Sequence, residues 1–240
     1  MTTPRYRSDE ASASRYSRRA FLADTGAAGA AIIAPGFVPL AAHASPAPPG
    51  EVRPLPEPAR SGGMPLMQAL SLRRSTREFS TRGIPEQVLG DLLWAAYGVN
   101  RAGGDRTAPC WRHILVIDVY AAMADGLWLY DAKQHALVAH PAGDIRAHTG
   151  RQDFPAVAPL NLVYVAHGER MKELTTENRR LFCSVGAGFI GQNVYLYCAS
   201  AGLVTVFRGA VDYPALARAM RLPEEQFVTF AQTVGYPRQG

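Results

Sequence analysis

The stretch VGAGFIGQNVYLYCASA, residues 185–201, is the longest periodic segment of the chain, and Gln192 and Asn193 are its only strongly polar interruptions. A surface helix keeps a polar stripe, so a helix apolar on nearly every face lies at the centre of a fold or of a dimer interface. Gly202 ends it. Beyond it, Leu203 to Phe207 reads as a short strand, Tyr213 to Met220 as an amphipathic helix closed by Pro223, and Phe227 to Val234 as a last strand. Before it, Glu169 to about Leu181 reads as a polar helix and Ala158 to Ala166 as a buried strand.

Further upstream, a helix starts at Pro65 and runs to about Arg74, and a second follows Pro85 and ends near Gly98. Ile114 to Val119 is an apolar run with β-branched residues, interrupted only by Asp118, as in a buried strand. Gly126 to Tyr130 with Ala136 to Val138 forms a hairpin pair, and Asp144 to Gln152 is expected as a helix. Strands and helices interleave, so the class is α+β or α/β.

The first 44 residues read differently. Ser17-Arg18-Arg19-Ala20-Phe21-Leu22 precedes a weakly hydrophobic run from Ala23 to Ala42, and Ala42-His43-Ala44 offers an A-x-A cleavage site. This resembles a twin-arginine signal peptide, with residues 17–22 addressing the export machinery. Asp24, Pro35 and Pro39 interrupt the run too often for a comfortable transmembrane helix. The expectation is a soluble protein, periplasmic or otherwise exported, cleaved near Ala44. Residues 45–63 hold six prolines and three glycines and read as an extended linker, leaving 64–240 as the folded domain.

The chain has 240 residues with 25 Lys+Arg against 20 Asp+Glu, a formal charge of +5. Five Arg and three acidic residues fall in the first 44, so the remainder carries 20 against 17, or +3. That balance gives no electrostatic footprint for nucleic acid. Cys110, Cys183 and Cys198 are too few and too widely spaced for a disulfide framework. Cys198 belongs to the core. Cys110-x-x-His113 lacks a second ligand pair, so no metal site is expected. His135, His140, His148 and His167 fall in polar segments and read as solvated surface.

Chemistry concentrates in Arg73-Arg74-Ser75-Thr76-Arg77-Glu78-Phe79, where the first helix ends. Three guanidiniums and two hydroxyls within five residues make an oxyanion site, because the guanidinium fork matches phosphate. Twin-arginine passengers are commonly cofactor enzymes exported folded, so a phosphate-bearing cofactor is expected here. No nucleophile elbow, Walker loop or dinucleotide fingerprint follows a strand.

That motif, followed by Leu92-Leu93-Trp94-Ala95-Ala96-Tyr97-Gly98-Val99-Asn100-Arg101, Arg106-Thr107-Ala108-Pro109, Gly188 to Leu196, Gly202-Leu203 and Val234-Gly235-Tyr236-Pro237, resembles the nitroreductase family of FMN enzymes, in its branch near the peptide-azoline dehydrogenases. The resemblance implies an α+β fold with a central mixed sheet flanked by helices. It also implies an interlocked homodimer that builds two FMN sites from residues of both chains. By position, Arg73, Arg74 and Ser75 would hold the phosphate and ribityl chain, and Arg77 would lie near the flavin N1 and C2 carbonyl. A backbone N–H at about Arg208 would meet N5, with Gly209 allowing close approach.

Cys110 and His113 stand where the family usually has Ser and a ring-binding Asn. A neutral His offers one donor and one acceptor in place of the amide, which puts flavin affinity or potential in question. The implied activity is ping-pong electron or hydride transfer to a small conjugated acceptor such as a nitroaromatic or quinone. NAD(P)H as donor is left open, because free nicotinamide is not expected outside the cytoplasm. The rival reading is a flavin-free, nonenzymatic member that binds a small planar ligand or a peptide.

Overall fold

A computed structural model describes residues 47–238. The signal expected over residues 1–44, its motif at 17–22 and the cleavage near Ala44 lie outside the described residues. In chain order the elements are β1 (Val52–Pro54), α1 (Leu66–Leu72), α2 (Glu86–Tyr97), β2 (Ile117–Met123), β3 (Gly126–Asp131), β4 (Ala136–Ala139), α3 (Phe154–Val157), β5 (Leu160–His167), α4 (Thr176–Ser200), β6 (Val204–Arg208), α5 (Tyr213–Ala219) and β7 (Gln226–Gly235).

The seven strands form one sheet in the order β1-β4-β3-β2-β5-β7-β6. The fold is α+β with helices flanking the sheet. Every ladder is antiparallel. The parallel component of the expected mixed sheet is confined to a single bridge, Ser75 to Thr205. β5 is buried along its whole length because both faces are covered. Leu160, Leu162, Tyr164 and Ala166 join the core with α2 and α4. Val163 and Val165 face the opposite layer with Leu216 and Met220. Burial on both faces explains why this strand reads as a continuous apolar run.

The polar helix expected at 169–181 and the apolar one at 185–201 are one helix, α4, preceded by a 3-10 turn at Gly168–Met171. Thr175 caps it by accepting from the Asn178 N–H at 3.3 Å. Gly202, at φ +70°, closes it, and the Leu203 N–H returns to the Cys198 carbonyl at 2.9 Å, the outer bond of a Schellman motif. Nothing between Leu181 and Val185 breaks the backbone.

Inward, α4 presents Cys183, Ala187, Ile190, Gly191, Val194 and Cys198. Outward, Leu181, Val185 and Phe189 stay exposed, and so do Leu66, Met67 and Leu70 of the neighbouring α1. Gly191 permits a close approach: a Cβ there would lie 2.5 Å from the Phe207 ring.

Three further expectations are corrected. Residues 47–63 are not a free linker: Val52–Pro54 is the edge strand β1, paired with Ala136–Val138, and Leu55 is buried in the core. The helix expected at 144–152 is only a 3-10 turn, Arg146–His148, since Ile145 is the one apolar residue that stretch buries. His167 is buried instead of solvated, with Nε2 2.6 Å from Asp118 Oδ2 and Nδ1 2.8 Å from Glu169 Oε1. His135 is likewise tied inward, to the Pro56 carbonyl and Tyr130 Oη. The three cysteines are unpaired, and Cys198 is in the core as expected.

Candidate active site at the end of the central helix

At Arg73 the backbone turns extended, and its N–H caps α1 by donating to the Ala69 carbonyl. The chain then runs along the free edge of β6: Ser75 bridges to Thr205, and the Thr76 N–H donates to the Thr205 carbonyl at 3.0 Å. Phe79 anchors the far end, buried against Ala158 and Val206 with its ring 5.5 Å from that of Phe154. Between these fixed points Arg73, Arg74 and Arg77 are exposed, and among the described residues none of them has an ion-pair partner.

Tyr195 of α4 ties the corner together. Its Oη lies 2.6 Å from Ser75 Oγ and accepts from the Phe207 N–H of β6 at 3.0 Å. The Arg73 guanidinium stands 5.1 Å from the Tyr195 ring centroid. A cavity of about 260 Å³ opens there, lined by Arg73, Arg74, Thr76, Tyr195, Gly202 and Thr205 among others. Sequence reasoning did not single out Tyr195. The signal was a phenol in an apolar helix, whose hydroxyl must find a partner when part-buried.

Arg208 and Gly209 follow on the same strand. The Arg208 side chain does not face the cavity. It turns inward and donates to the Thr149 carbonyl, Asn161 Oδ1 and Thr233 Oγ1. Only its backbone remains for the role expected of it. Gly209 is exposed, and a Cβ there would meet nothing closer than 3.5 Å, so no contact within the chain requires glycine.

His113 lies elsewhere. It ends a 3-10 turn, Trp111–His113, that packs on the N-terminal half of α4 through Trp111 and Phe182, ring centroids 5.9 Å apart. Phe182 and Tyr195 are 13 residues apart on one helix, a rise of about 20 Å. The chain by itself therefore does not bring His113 to the arginines. The His113 side chain is 89% exposed, and its nearest ionic group is Asp105 at 3.6 Å. Arg112 and His113 both hold positive φ, 47° and 61°, a conformation that costs roughly 1–2 kcal/mol per residue away from glycine. Burial, and after it Asp105, pushes the Cys110 thiol up, so it is no ready thiolate.

Among the described residues no group of three or more His, Cys, Asp or Glu is placed to hold a metal ion. Nor is any described helix long and apolar enough to cross a membrane.

An antiparallel sheet carrying one long helix that buries one face on it, with an arginine-rich segment laid on its edge strand, defines the class. The nitroreductase family pattern matches residues 70–236, and the chain belongs to that family. A nitroreductase-like protein of Methanocaldococcus jannaschii is 29% identical over 169 residues, covering 66% of this chain and 85% of that one. A crystal structure described as a nitroreductase from Ralstonia eutropha is 46% identical with a TM-score of 0.77, covering 82% of this chain and 95% of that one. The NADPH:FMN oxidoreductase of Vibrio harveyi, solved with NAD+, shares the fold at a TM-score of 0.53 and 19% identity, covering 72% and 69% of the two chains.

Proposed function

We propose that this protein is a homodimeric FMN-dependent oxidoreductase, exported through a twin-arginine signal. It passes electrons in ping-pong fashion between a donor and a small conjugated acceptor such as a nitroaromatic or quinone. The observation that carries the reading is the corner where Arg73 and Arg74, without an ion-pair partner among the described residues, line a cavity with Tyr195, beside Ser75 and the edge of β6. Unpaired guanidiniums beside a cavity suit a phosphate monoester, so the residues present fit the group.

Arg73, Arg74 and Ser75 would hold the phosphate and ribityl chain. Arg77 would place a fixed cation beside the ring edge where negative charge collects on reduction. The backbone at Arg208 and Gly209 would offer an N–H to the ring's central nitrogen. FMN, when bound, supplies the two-electron chemistry, and no side-chain nucleophile or general acid is obligatory.

A second copy completes the site. The exposed stripe Leu181, Val185 and Phe189, with Leu66, Met67 and Leu70 beside it, is the apolar face of a subunit interface. Two α4 helices packed antiparallel about an axis near Gly188 bring the Phe182 level of one chain beside the Tyr195 level of the other. In that arrangement His113 of one subunit approaches the arginines of its partner. Gly188 fits the position, since a Cβ there would meet nothing within 4 Å.

Export sets the direction of flow. Without free nicotinamide outside the cytoplasm, either another donor reduces the flavin or the protein oxidises its substrate, as in the azoline-dehydrogenase branch.

The test is the absorbance spectrum of protein taken from the exported fraction. A yellow preparation, with FMN affinity falling about 10–100-fold in Arg73→Ala as one charge-assisted contact is lost, supports the reading. A colourless preparation that takes up no added FMN overturns it in favour of a flavin-free binder.

A further inference from the structure

Arg208 is only 4% exposed. Its Nη1 donates to the Thr149 carbonyl at 2.8 Å, and its Nη2 to Asn161 Oδ1 at 3.2 Å and Thr233 Oγ1 at 2.9 Å. Thr233 Oγ1 also lies 2.6 Å from Asn161 Oδ1, and Asn161 Nδ2 donates to the Pro155 carbonyl at 2.8 Å. Arg208 Nε is buried with no partner. Gly150 makes room for this guanidinium, since a Cβ there would overlap Nη1.

Every acceptor in this network is neutral. Arg53 and Arg146, which also turn inward, are paired with Asp125 and Asp144 at 2.9 and 2.7 Å. Among the described residues Arg208 has no such partner. Burial pushes it down to about 10, so it remains a cation at neutral pH. A buried charge without a counter-charge is expensive, and an apolar side chain of similar volume would often stabilise a fold better. The fold around it is shaped to keep it, through Gly150, Asn161 and Thr233.

The strand that carries Arg208 also borders the arginine-lined cavity. β6 carries Thr205, bridged to Ser75, and Phe207, bonded to Tyr195, and it ends beside Gly209. We propose that Arg208 is a positioning and electrostatic residue whose uncompensated charge, held inside the fold at the end of β6, raises the reduction potential of the bound flavin. This rests on the FMN reading above. A hydride carries two electrons and one proton from the donor, which is oxidised, to the bound FMN, which is reduced and gains one negative charge. A fixed cation in low dielectric favours the reduced state. The same field makes the oxidised cofactor a stronger acceptor, which favours the substrate-oxidising direction in an exported enzyme. Through its three hydrogen bonds Arg208 also fixes the end of β6 against the 149–151 turn, where the Arg151 N–H donates to the Ala210 carbonyl at 3.0 Å.

The experiment is a midpoint-potential titration of the FMN-loaded holoenzyme against a reference dye with dithionite, in wild type, Arg208→Met and Arg208→Lys. Arg208→Met is expected to lower the ratio of reduced to oxidised flavin at fixed poise about tenfold, a shift of about 30 mV for a two-electron couple. Arg208→Lys, which keeps the charge but not the fork, is expected to stay within about twofold of wild type. Asn161→Asp tests the same point without removing the arginine, and it serves if Arg208→Met does not fold. A carboxylate placed there neutralises the charge and is expected to lower the potential as Met does. An unchanged potential in Met, or in Asp where Met does not fold, overturns the proposal, and so does an equal fall in Met and Lys, which reduces Arg208 to packing. A wild-type protein that takes up no FMN overturns the cofactor reading as well, so the two failures are told apart by colour alone.

Discussion

The two ends of α4 are built on opposite plans. At its C-terminal end Tyr195, Ser75, Thr205 and Phe207 are knit by short hydrogen bonds, and the arginines project from a fixed backbone. At its N-terminal end the Trp111–His113 turn packs by one aromatic contact, holds two residues at positive φ and leaves His113 in solvent. A preorganised anion cradle and a strained, solvent-exposed imidazole about 20 Å apart would, in the proposed dimer, be two halves of one site joined by a second chain. A binding element completed by a partner has no reason to be satisfied within its own subunit.

Phe189→Asp attacks that comparison hardest. A charge placed in the exposed apolar stripe at 46% exposure leaves the monomer intact but is expected to abolish the dimer. FMN affinity should then fall by more than about 100-fold although every arginine is retained. Size-exclusion chromatography with a flavin titration reads both effects, and full affinity in a monomeric variant would show that one chain binds FMN alone.

Gly191→Ala tests the knitted end. Its Cβ would press the Phe207 ring on β6, and the expected loss is about 1–3 kcal/mol, measured by chemical denaturation. His113→Asn tests the loose end. Asn tolerates the left-handed backbone as His does, so stability should hold within about 0.5 kcal/mol. FMN affinity or potential should shift severalfold, and a large stability change with no flavin effect would show the turn to be structural only.

The smallest effect concerns His167, outside both ends. Burial alone would lower its pKa, but the hydrogen bonds to Asp118 and Glu169 and the charge of Asp118 outweigh that and the opposing Arg170, so the net shift is upward. Its stabilisation is therefore complete below the unfolded value of about 6.5 and is lost as pH rises through the raised folded value. Thermal stability of wild type should fall gently above neutrality, and His167→Gln should flatten that slope.

The sequence was most legible where local pattern and burial agree. β5 announces itself because both faces are covered, and α2 because Pro85 and Gly98 bracket its apolar repeat, whereas β2, expected at 114–119, lies at Ile117–Met123. The arginine motif was visible because its charges are adjacent in the chain. What escaped depends on partners far away. β1 hides in a proline-rich segment because it is held by backbone bonds to β4, which side-chain composition does not advertise. The unity of α4 was masked by a change from a polar to an apolar face without any break. His167 looked exposed because Asp118 lies 49 residues earlier. Tyr195 joins Ser75 across 120 residues. The inward turn of Arg208 depends on Gly150, which sequence reasoning had no cause to weigh.

In the proposed dimer each flavin site needs two chains. Sedimentation velocity of the FMN-reconstituted protein, followed by flavin absorbance, tests it most directly. All of the colour is expected to travel with a dimer at one FMN per chain. Colour bound to a monomer, or a colourless dimer in excess FMN, would contradict it.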